Sequence, residues 1–507
     1  AADDSATLIA AGVRLARAWE LDAVHRILHG GWRADPVRIW CTARGLDRRT
    51  APTAGQLDLG AVDAGGRGDE PIRPDGYLQP DWVEGAWRSS HQQAQHWARL
   101  ARELATQQER EIAGLQVRGD AAALARAEST AALLAAELAH DGLPVHIPTA
   151  EAIIAQSVGP RPRTDAEAQA GRDERDAEVI RHVPGIRTDL RNPADVRAML
   201  RRVGIDVPDT RAWRLEAMRE QHPVVDALLQ WRKAERMATT FGYGWLDQHV
   251  RDGRLRGEWS GSDGAAGRMT ASNGLHNLPA ELRPAVRAEP GHVFVRADLG
   301  QIEPRVLAAV SGDQALIRAA QEDDLYAPVA ARLKVERPRA KVAVLAAMYG
   351  QTSGTAGEAL RGMEAGYPVA MKFLADAARS GMEGRDLRTY GGRLVRMWDI
   401  EDAAGEQRSA AAARGRYARN AMVQGAAAEV FKVWAVTVRA RGSELGAQIV
   451  LCLHDELLVH VPQEHGDACA QLLHDCLAEA AHRWQRGAGV RFVADVSVVP
   501  DWASAKG

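Results

Sequence analysis

Two acidic residues, each at the end of an apolar strand and far apart in the chain, constrain the fold most. Residues 293–297 form a short, mostly apolar run that predicts a buried strand, and Asp298 closes it. Residues 449–453 and 457–461 predict a β-hairpin with Asp455 at its tip. An Asp at a strand end is usually a turn or capping residue, so neither segment decides the chemistry alone.

A helix between these strands carries a basic stripe. Pro338 suits the first turn of a helix and Gly350 suits its end, which predicts a helix up to Tyr349. Cations in the first turn, beside free N–H groups and the positive end of the helix dipole, favour an anion such as a triphosphate. A solvated basic helix face remains the alternative. The stripe, spaced by four residues, consists of Arg337, Lys341, Leu345 and Tyr349.

Taken together, the three segments suit metal-assisted nucleotidyl transfer. Two magnesium ions roughly 4 Å apart require carboxylates that converge from separate elements. Asp298 and Asp455 are the candidate ligands, with Glu456 as a helper.

In order and spacing the segments resemble motifs A, B and C of the family A DNA polymerases. Motif A is close to Asp-Tyr-Ser-Gln-Ile-Glu-Leu-Arg, and motif B is Arg-xxx-Lys-xxx-Phe/Tyr-xxx-Tyr-Gly. The chain has Asp298-Leu299-Gly300-Gln301-Ile302-Glu303-Pro304-Arg305 for motif A, Arg337, Lys341, Tyr349 and Gly350 in motif B, and His454-Asp455-Glu456 for motif C. Further similar segments are Gly267-Arg268, Leu275 to Pro279, Gly392-Arg393, and Arg416, Asn420 and Gln424-Gly425.

The resemblance, which covers about residues 115 to 507, implies an α+β right-hand polymerase fold. Its palm is an antiparallel sheet that carries Asp298 and Asp455, its fingers and thumb are helical, and a small N-terminal module precedes them. The expected divisions are a degenerate exonuclease-like module and linker (1–78), a helical lead-in and thumb (79–255), a first palm segment (256–325), fingers (326–390) and a second palm segment (391–507).

The activity implied by the resemblance is template-directed addition of deoxynucleotides to a primer 3′-hydroxyl, with two Mg²⁺ ions that Mn²⁺ could replace. Asp298 and Asp455 would hold the metals, and Lys341 and Glu456 would complete the catalytic group. The nucleotide would contact Arg337, Lys341, Glu303, Gln301, Tyr349, Leu345 and Tyr326, with Glu303 as a steric gate against a ribose 2′-hydroxyl. Primer–template DNA would contact Arg268, Asn277, Arg416, Asn420, Gln424 and His454, largely through minor-groove acceptors that all correct pairs share.

The chain departs from the family pattern at several of these positions. Leu345 replaces the aromatic residue of motif B, and Tyr326 stands where the family usually has a phosphate-contacting His. Leu299-Gly300 replaces Tyr-Ser, and Pro304 replaces Leu. These departures leave open a second function, a DNA-binding protein that kept the grip on the duplex but lost the chemistry.

The region before the thumb carries less information. No Asp-x-Glu on an apolar strand occurs before residue 115, so we expect no proofreading exonuclease. Residues 51–78 are rich in Gly, Pro and Asp and predict a linker. We expect a loop over residues 159–181, followed by a thumb helix that starts at Asn192-Pro193.

Composition limits the class of protein only broadly. A chain of 507 residues with 46% hydrophobic residues can bury several cores. The net charge of −3 does not mark a nucleic-acid binder, although a local basic groove is sufficient to hold phosphates. No run of about 18 apolar residues and no secretory signal is evident, so we expect a cytoplasmic monomer without a membrane span. Replication and repair both remain open.

Overall fold

The computed structural model describes residues 2–53, 70–264, 266–350, 355–397 and 407–505. The chain packs as two compact units. The first unit comprises residues 1–141, 258–271 and 291–498, and the second comprises 142–257, 272–290 and 499–507. Most of the predicted linker, residues 54–69, lies outside the described residues. The division into five segments expected from the sequence stays a prediction.

The helices before the first strand of the main sheet come in the following order. They are α1 (Ala2–Ala10), α2 (Leu21–His29), α3 (Pro36–Arg44), α4 (Pro80–Val83), α5 (His91–Ala113), α6 (Ala121–Asp141), α7 (Ile147–Val158), α8 (Asp165–Ile180), α9 (Pro193–Arg202), α10 (Ala212–Glu216), α11 (Pro223–Thr240) and α12 (Tyr243–His249). The later helices are α13 (Ile302–Ser311), α14 (Gln314–Ala319), α15 (Tyr326–Leu333), α16 (Arg337–Tyr349), α17 (Thr355–Gly366), α18 (Pro368–Met382), α19 (Gln407–Gly442) and α20 (Gly466–Gln485).

The strands form small sheets. They are β1 (Leu143–Pro144), β2 (Val250–Arg251), β3 (Arg254–Leu255), β4 (Trp259–Asp263), β5 (Arg268–Ala271), β6 (His292–Leu299), β7 (Leu387–Arg388), β8 (Leu394–Val395), β9 (Gln448–Cys452), β10 (Glu456–Pro462) and β11 (Ala494–Val499). The largest sheet has the order β11-β6-β10-β9, and β10 is antiparallel to both of its neighbours. Both predicted acidic strand ends therefore belong to one sheet, as the sequence suggested.

Alternation along the central strands separates an apolar core face from a second face that carries charged side chains as well as apolar ones. Val295 and Ala297 of β6 and Val459 of β10 are fully buried in the main core of the first unit. The intervening positions of β6 are Phe294, Arg296 and Asp298. Because one face must stay apolar, the register of β6 against β10 is fixed, and it places Glu456 opposite Asp298.

The predicted motif B helix is present as α16. It ends at Gly350, whose φ of 67° is the left-handed cap that the sequence indicated. Its apolar face, including Val344 and Ala347, is buried in the main core, whereas Lys341 is exposed. Packing of this face therefore fixes which side of the helix presents its cations.

Among the described residues, one helical segment, Ala410–Leu445, is long and apolar enough to cross a membrane by length and composition alone. Its most apolar window is 89% buried inside the protein. A core helix passes the same test, and residues such as Trp434 and Val430 in this segment belong to the main core.

The second unit contains α7 to α12 and has its own apolar core. The predicted helix start at Asn192 is confirmed, because its side chain accepts a hydrogen bond from Ala194 N at the start of α9. The loop expected over residues 159–181 is wrong, because α8 occupies Asp165–Ile180. Thr164 Oγ1 accepts from Glu167 N, and the Glu167 carboxylate accepts from Arg163 N, so a reciprocal cap starts this highly charged helix.

The described residues of the N-terminal module include the helices α1, α2 and α3. Together with α5, which follows the module, α2 and α3 surround small apolar clusters that include Val24, Trp40 and Leu104. Within residues 70–79 a single isolated bridge joins Ile72 to Leu78. The interpretation of this module as an exonuclease remnant stays a prediction.

Candidate active site

The carboxyl end of β6 and the β9–β10 turn bring Asp298 and Asp455 together. Leu299 N donates to the Asp455 carbonyl oxygen over 2.7 Å, and Glu456 is the register partner of Asp298. Burial, followed by the charge of Asp455, raises the pKa of Asp298 above its ordinary value. Burial, followed by the charge of Glu456, likewise raises the pKa of Asp455. The pair, hereafter the carboxylate pair, is an electronegative site that stabilises a cation.

Arg296 is a cation already built into this site. Its side chain is 4% exposed, and its Nη2 donates to Asp298 Oδ2 at 2.5 Å and to Glu456 Oε2 at 3.1 Å. Burial alone lowers the pKa of Arg296, but the hydrogen bond and charge of Glu456 and the charge of Asp298 outweigh it and raise that pKa. Glu456, 6% exposed, is therefore committed to Arg296 rather than open to solvent.

The donor chemistry of the carboxylate pair fits a hard divalent cation, because both ligands are carboxylate oxygens, and burial and neighbouring negative charge raise the pKa values of both groups. The pair alone does not complete a coordination shell. Across the described ranges, no group of three or more His, Cys, Asp or Glu side chains is arranged to hold a metal ion. Water and substrate phosphates would have to supply the remaining ligands.

The turn after Asp298 explains two departures from the family pattern. A Cβ at Gly300 would come within 2.9 Å of Val493 Cγ2, so any larger residue here would force Val493 to move. Pro304 lies in the first turn of α13, where a missing N–H costs little. Gln301 adopts a left-handed conformation with φ of 56°, which turns the chain from β6 into α13.

The buried side chain of Arg305 stabilises the turn between β6 and α13. It is completely buried and donates only to backbone carbonyl groups, with distances between 2.6 and 3.0 Å. The acceptors are the carbonyl oxygens of Gly300, Ala320, Glu322, Asp323 and Arg491. One side chain thus ties the motif A turn to the loop that precedes α15 and to the segment before β11.

Glu303 lies at the centre of a second polar group. Its carboxylate accepts from Arg268 Nη2 at 2.9 Å and from Tyr349 Oη at 3.0 Å. Burial, and then the charge of Glu303, raise the pKa of Tyr349, while a hydrogen bond with Gln424 opposes the rise. Arg268 also acts electrostatically on Asp455 and His454. The structure therefore joins residues predicted from motifs A, B and C in one continuous site.

Asp324 links motif A to motif B. Gln301 Nε2 donates to Asp324 Oδ1 at 3.0 Å, while Arg337 donates to both oxygens of the same carboxylate at 2.5 and 3.1 Å. The Arg337 hydrogen bond is the main reason that the pKa of Asp324 lies below its ordinary value. The Arg337 guanidinium also lies 5.7 Å from the ring centre of Tyr326. Burial, together with Glu303, raises the pKa of that Tyr to about 12.

The other predicted nucleotide contacts differ in their surroundings. Within the described ranges of the chain, Lys341 has no ion-pair or hydrogen-bond partner, and its side chain is exposed. Leu345 is half-buried and packs against the main core, so it offers no stacking surface like that of an aromatic ring. His454 is exposed, and desolvation by its surroundings followed by the charge of Arg268 lowers its pKa.

The predicted DNA contacts are divided between the two units. Arg416, Asn420 and Gln424 lie on successive turns of α19 in the first unit. Asn420 Oδ1 is buried and finds no hydrogen-bond partner among the described residues. Asn277 belongs to the second unit, where it is exposed and its carbonyl oxygen accepts from Arg236 Nη2 at 2.8 Å. The residue roles themselves stay predictions.

Two residues of this site were missed by the sequence reasoning, namely Arg296 and Asp324. A charged residue inside an otherwise apolar strand is a usable signal for Arg296, because burial of a lone guanidinium requires a partner. Asp324 had no comparable signal, since its partners Gln301 and Arg337 lie in separate motifs.

Comparison with known proteins agrees with this geometry. The DNA polymerase I, thermostable, of Thermus aquaticus is 31% identical over 326 residues, which are 59% of this chain and 38% of that protein. The DNA polymerase I of Chloroflexus aurantiacus is 30% identical over 319 residues, which are 57% of this chain and 33% of that protein. The chain thus matches well under half the length of these relatives.

A solved structure, the POL domain of Pol1 from M. smegmatis in complex with DNA primer-template and dNTP, matches 96% of this chain and 82% of its own, with a TM-score of 0.71. At 21% sequence identity this likeness concerns the fold, and it confirms the predicted α+β polymerase fold. The family model for DNA polymerase family A matches residues 194–504, which is more than half of the chain. The protein therefore belongs to the family A DNA polymerases.

Proposed function

We propose that this protein is a template-directed DNA polymerase that adds deoxynucleotides to a primer 3′-hydroxyl. The observation that carries the proposal is the convergence of Asp298 and Asp455 beside the Glu303 group. Both carboxylates have raised pKa values, caused first by burial and then by neighbouring negative charge, and so favour a cation. The partners of the reaction are primer–template DNA and deoxynucleoside triphosphates.

Asp298 and Asp455 would hold two divalent cations, with Mg²⁺ as the natural choice and Mn²⁺ as a substitute. When bound, such ions lower the pKa of the attacking hydroxyl and stabilise charge on the leaving oxygen. In this reaction the primer 3′-hydroxyl loses its proton to solvent and its oxygen forms a bond to the α-phosphorus of the nucleotide. The bond from that phosphorus to the pyrophosphate oxygen breaks, and pyrophosphate leaves. The two side chains would fix the positions of the cations relative to the primer 3′-oxygen and the α-phosphorus.

The cations of α16 would receive the triphosphate. Arg337 is 54% exposed at the first residue of the helix, where the dipole also favours an anion, but in the free protein Asp324 holds it. Lys341, one turn further on and exposed, can approach the leaving pyrophosphate and donate a proton to it. Nucleotide binding would therefore exchange the Asp324 carboxylate for phosphate oxygens at Arg337.

Glu303 would exclude ribonucleotides. Its two hydrogen bonds, from Arg268 and Tyr349, hold the carboxylate in one place and leave it no freedom to move aside. A 2′-hydroxyl placed against this fixed group would clash with it. The proposal also includes the absence of proofreading, because no exonuclease carboxylate motif was found before residue 115 in the sequence.

The test is primer extension with an annealed primer–template, four deoxynucleotides and Mg²⁺. Wild type should extend the primer according to the template, and Asp455→Ala should lose at least about a thousandfold in rate, as expected when a group central to transition-state charge is removed. Asp376→Asn is the matched control, because this exposed carboxylate is paired with Lys372 on α18, and its rate should equal that of wild type.

A specific alternative is a DNA-binding protein without activity. It is favoured by Leu345 and by the ion pair that occupies Arg337. Duplex binding without extension in either Mg²⁺ or Mn²⁺ would support this alternative and refute the proposed enzyme. Degradation of a mispaired 3′ end by purified protein would contradict the absence of proofreading while leaving the polymerase proposal intact.

A further inference from the structure

Arg296 contacts the carboxylate pair from inside the sheet. It lies on β6 two residues before Asp298, on the same face of the strand, and only 4% of its side chain is exposed. One amino group, Nη2, is shared between Asp298 Oδ2 and Glu456 Oε2. Nε of the same guanidinium lies 3.1 Å from Glu456 Oε1.

This contact affects metal binding in two ways. Nη2 occupies one lone pair of Asp298 Oδ2, so a cation that binds through that lone pair must displace the guanidinium. In addition, one fixed positive charge offsets part of the negative charge of Asp298, Asp455 and Glu456. An opposite charge within about 4–6 Å lowers the proton affinity of a carboxylate by roughly ten- to a thousandfold. The same field opposes a divalent ion.

Glu456 gives Arg296 a second anchor. This carboxylate is 6% exposed and lies opposite Asp298 in the sheet. It therefore remains an ion-pair partner of the guanidinium when the hydrogen bond between Arg296 and Asp298 is broken. A third carboxylate, that of Asp495 on β11, is 84% exposed and lies 4.0 Å from Arg296 Nη1. The buried cation thus has a stable position both with and without its bond to Asp298.

We propose that Arg296 is a positioning residue that holds the Asp298 carboxylate until a divalent cation arrives and that lowers the affinity of the carboxylate pair for that cation. This inference rests on the proposed function, since it assumes that the pair binds metal. Its consequence is that the free protein retains divalent ions weakly. Stable retention then depends on the phosphate oxygens of a bound nucleotide.

The first experiment is a Mn²⁺ titration of the nucleotide-free protein, followed by electron paramagnetic resonance of the free ion. Arg296→Met removes the charge but keeps much of the side-chain volume, and it should tighten Mn²⁺ binding by at least about tenfold. Arg296→Lys, which keeps the charge but lacks the planar fork of the guanidinium, should fall between Met and wild type. Arg379→Met, at an exposed arginine on α18, is the control and should leave the affinity unchanged.

A second experiment uses wild-type protein alone, in case Arg296→Met leaves Glu456 unpaired and fails to fold. Arginine labelled with ¹⁵N at Nε is observed by NMR while Mg²⁺ is added. The Arg296 signal should shift on Mg²⁺ addition, in the direction produced by Asp298→Ala without metal, because both release the guanidinium to Glu456. No shift with Mg²⁺ would overturn the proposal.

The outcomes separate this inference from the proposed function. If Asp298→Ala and Asp455→Ala abolish Mn²⁺ binding but Arg296→Met binds no tighter than wild type, the Arg296 inference is wrong and the metal role of the pair stands. If neither Asp variant affects Mn²⁺ binding, both proposals are overturned. Tighter binding in Arg296→Met, together with lost binding in the Asp variants, supports both.

Discussion

The carboxylate pair and the buried carboxylate of Glu128, both in the first unit, have opposite electrostatic surroundings. Glu128 is 1% exposed, and its Oε2 receives Arg393 Nη2 at 2.7 Å and Lys432 Nζ at 2.6 Å. Burial raises the pKa of Glu128, but the two cations outweigh burial and hold that pKa below its ordinary value. At Asp298 and Asp455 the same burial is reinforced by negative charge, and the pKa rises.

The opposite pKa shifts distinguish charged groups that stabilise the fold from charged groups that are available to a ligand. We call Glu128, Arg393 and Lys432 the buried ionic cluster; it is closed to solvent. The buried carboxyl group of Glu429 also interacts electrostatically with both cations, so two acids face two bases. It also lies beside the site, since a Cβ at Gly267, the residue before Arg268, would come within 2.5 Å of Arg393 Cζ. The carboxylate pair is partly exposed and carries excess negative charge, which a bound cation can neutralise. A cluster with matched charge stabilises the fold, whereas one with unmatched charge is available for a ligand.

The largest expected effect comes from breaking the buried ionic cluster. Glu128→Gln removes the carboxylate that pairs directly with both Arg393 and Lys432, and loss of one partner of a buried ion pair costs about 3–5 kcal/mol. We expect Tm to fall by roughly 10 °C, since about 1 kcal/mol shifts Tm by 2–4 °C in domains of this size. Scanning calorimetry measures the change.

Glu479→Gln is the control for this prediction, because Glu479 is 29% exposed and pairs with Arg441 and Arg483 on the surface. Its Tm should move by about 1–2 °C at most. Adding Lys432→Met to Glu128→Gln should restore part of the lost stability, because it removes one of the unpaired cations. Equal Tm values for Glu128→Gln and Glu479→Gln would contradict the comparison.

The sequence predicted the regions of this structure that depend on local pattern. The apolar runs around Asp298 and Asp455 and the Pro338 and Gly350 signals placed β6, the β9–β10 hairpin and α16 correctly. These elements follow from periodicity and capping within a few residues. The likeness to a known family supplied the order in which they assemble.

The regions that the sequence did not predict depend on long-range partners. Arg296 and Glu456 are 160 positions apart, and only the β6–β10 register brings them together. The acceptors of Arg305 are backbone carbonyls, which carry no side-chain signal. The α8 helix was missed because its charged, weakly amphipathic sequence hides the cap at Thr164.

A second prediction concerns Glu303. Like Glu128, this carboxylate is paired with an arginine, but it lies in the candidate active site. Glu303→Ala should loosen ribonucleotide exclusion by at least about tenfold, or about 1.4 kcal/mol in the difference between transition-state barriers. The reason is that the carboxylate fixed by Arg268 and Tyr349 is the group that a 2′-hydroxyl would meet. The ratio of kcat/KM for a deoxynucleotide and its ribonucleotide measures the effect. Unchanged discrimination would remove Glu303 from this role.

A third prediction tests the unmatched charge directly through stability. The folded pKa of Asp455 is raised above the ordinary value of 3.8, so the folded state binds protons more readily and loses stability as pH rises through that pKa. In metal-free buffer at pH 8, Asp455→Asn should therefore be more stable than wild type, with Tm higher by about 2 °C. Partial exposure of the carboxylate keeps the effect small.

The pH dependence distinguishes this electrostatic effect from altered packing. The difference in Tm between Asp455→Asn and wild type should shrink as pH falls through the raised folded pKa towards the ordinary value of 3.8, because protonation neutralises the wild-type carboxylate. Adding Mg²⁺ should stabilise wild type more than the variant, because only wild type keeps both ligands of the pair. A variant less stable than wild type at pH 8 would show that Asp455 is needed for the fold.

The smallest effect is expected at Asp324, which combines matched charge with exposure. Its side chain is 34% exposed and that of Arg337 is 54% exposed, so the pair should contribute less than about 1 kcal/mol to folding. Asp324→Asn keeps an oxygen for Tyr326 N while it removes the charge that competes with phosphate for Arg337. We expect an unchanged Tm and a KM for nucleotide that falls about two- to threefold. Steady-state extension measures KM, and Asp376→Asn, at a side chain that is 43% exposed on α18, is the control. A rise in KM would mean that Asp324 positions Arg337 for the triphosphate rather than competing with it. An exposed ion pair with balanced charge would then also contribute to nucleotide binding.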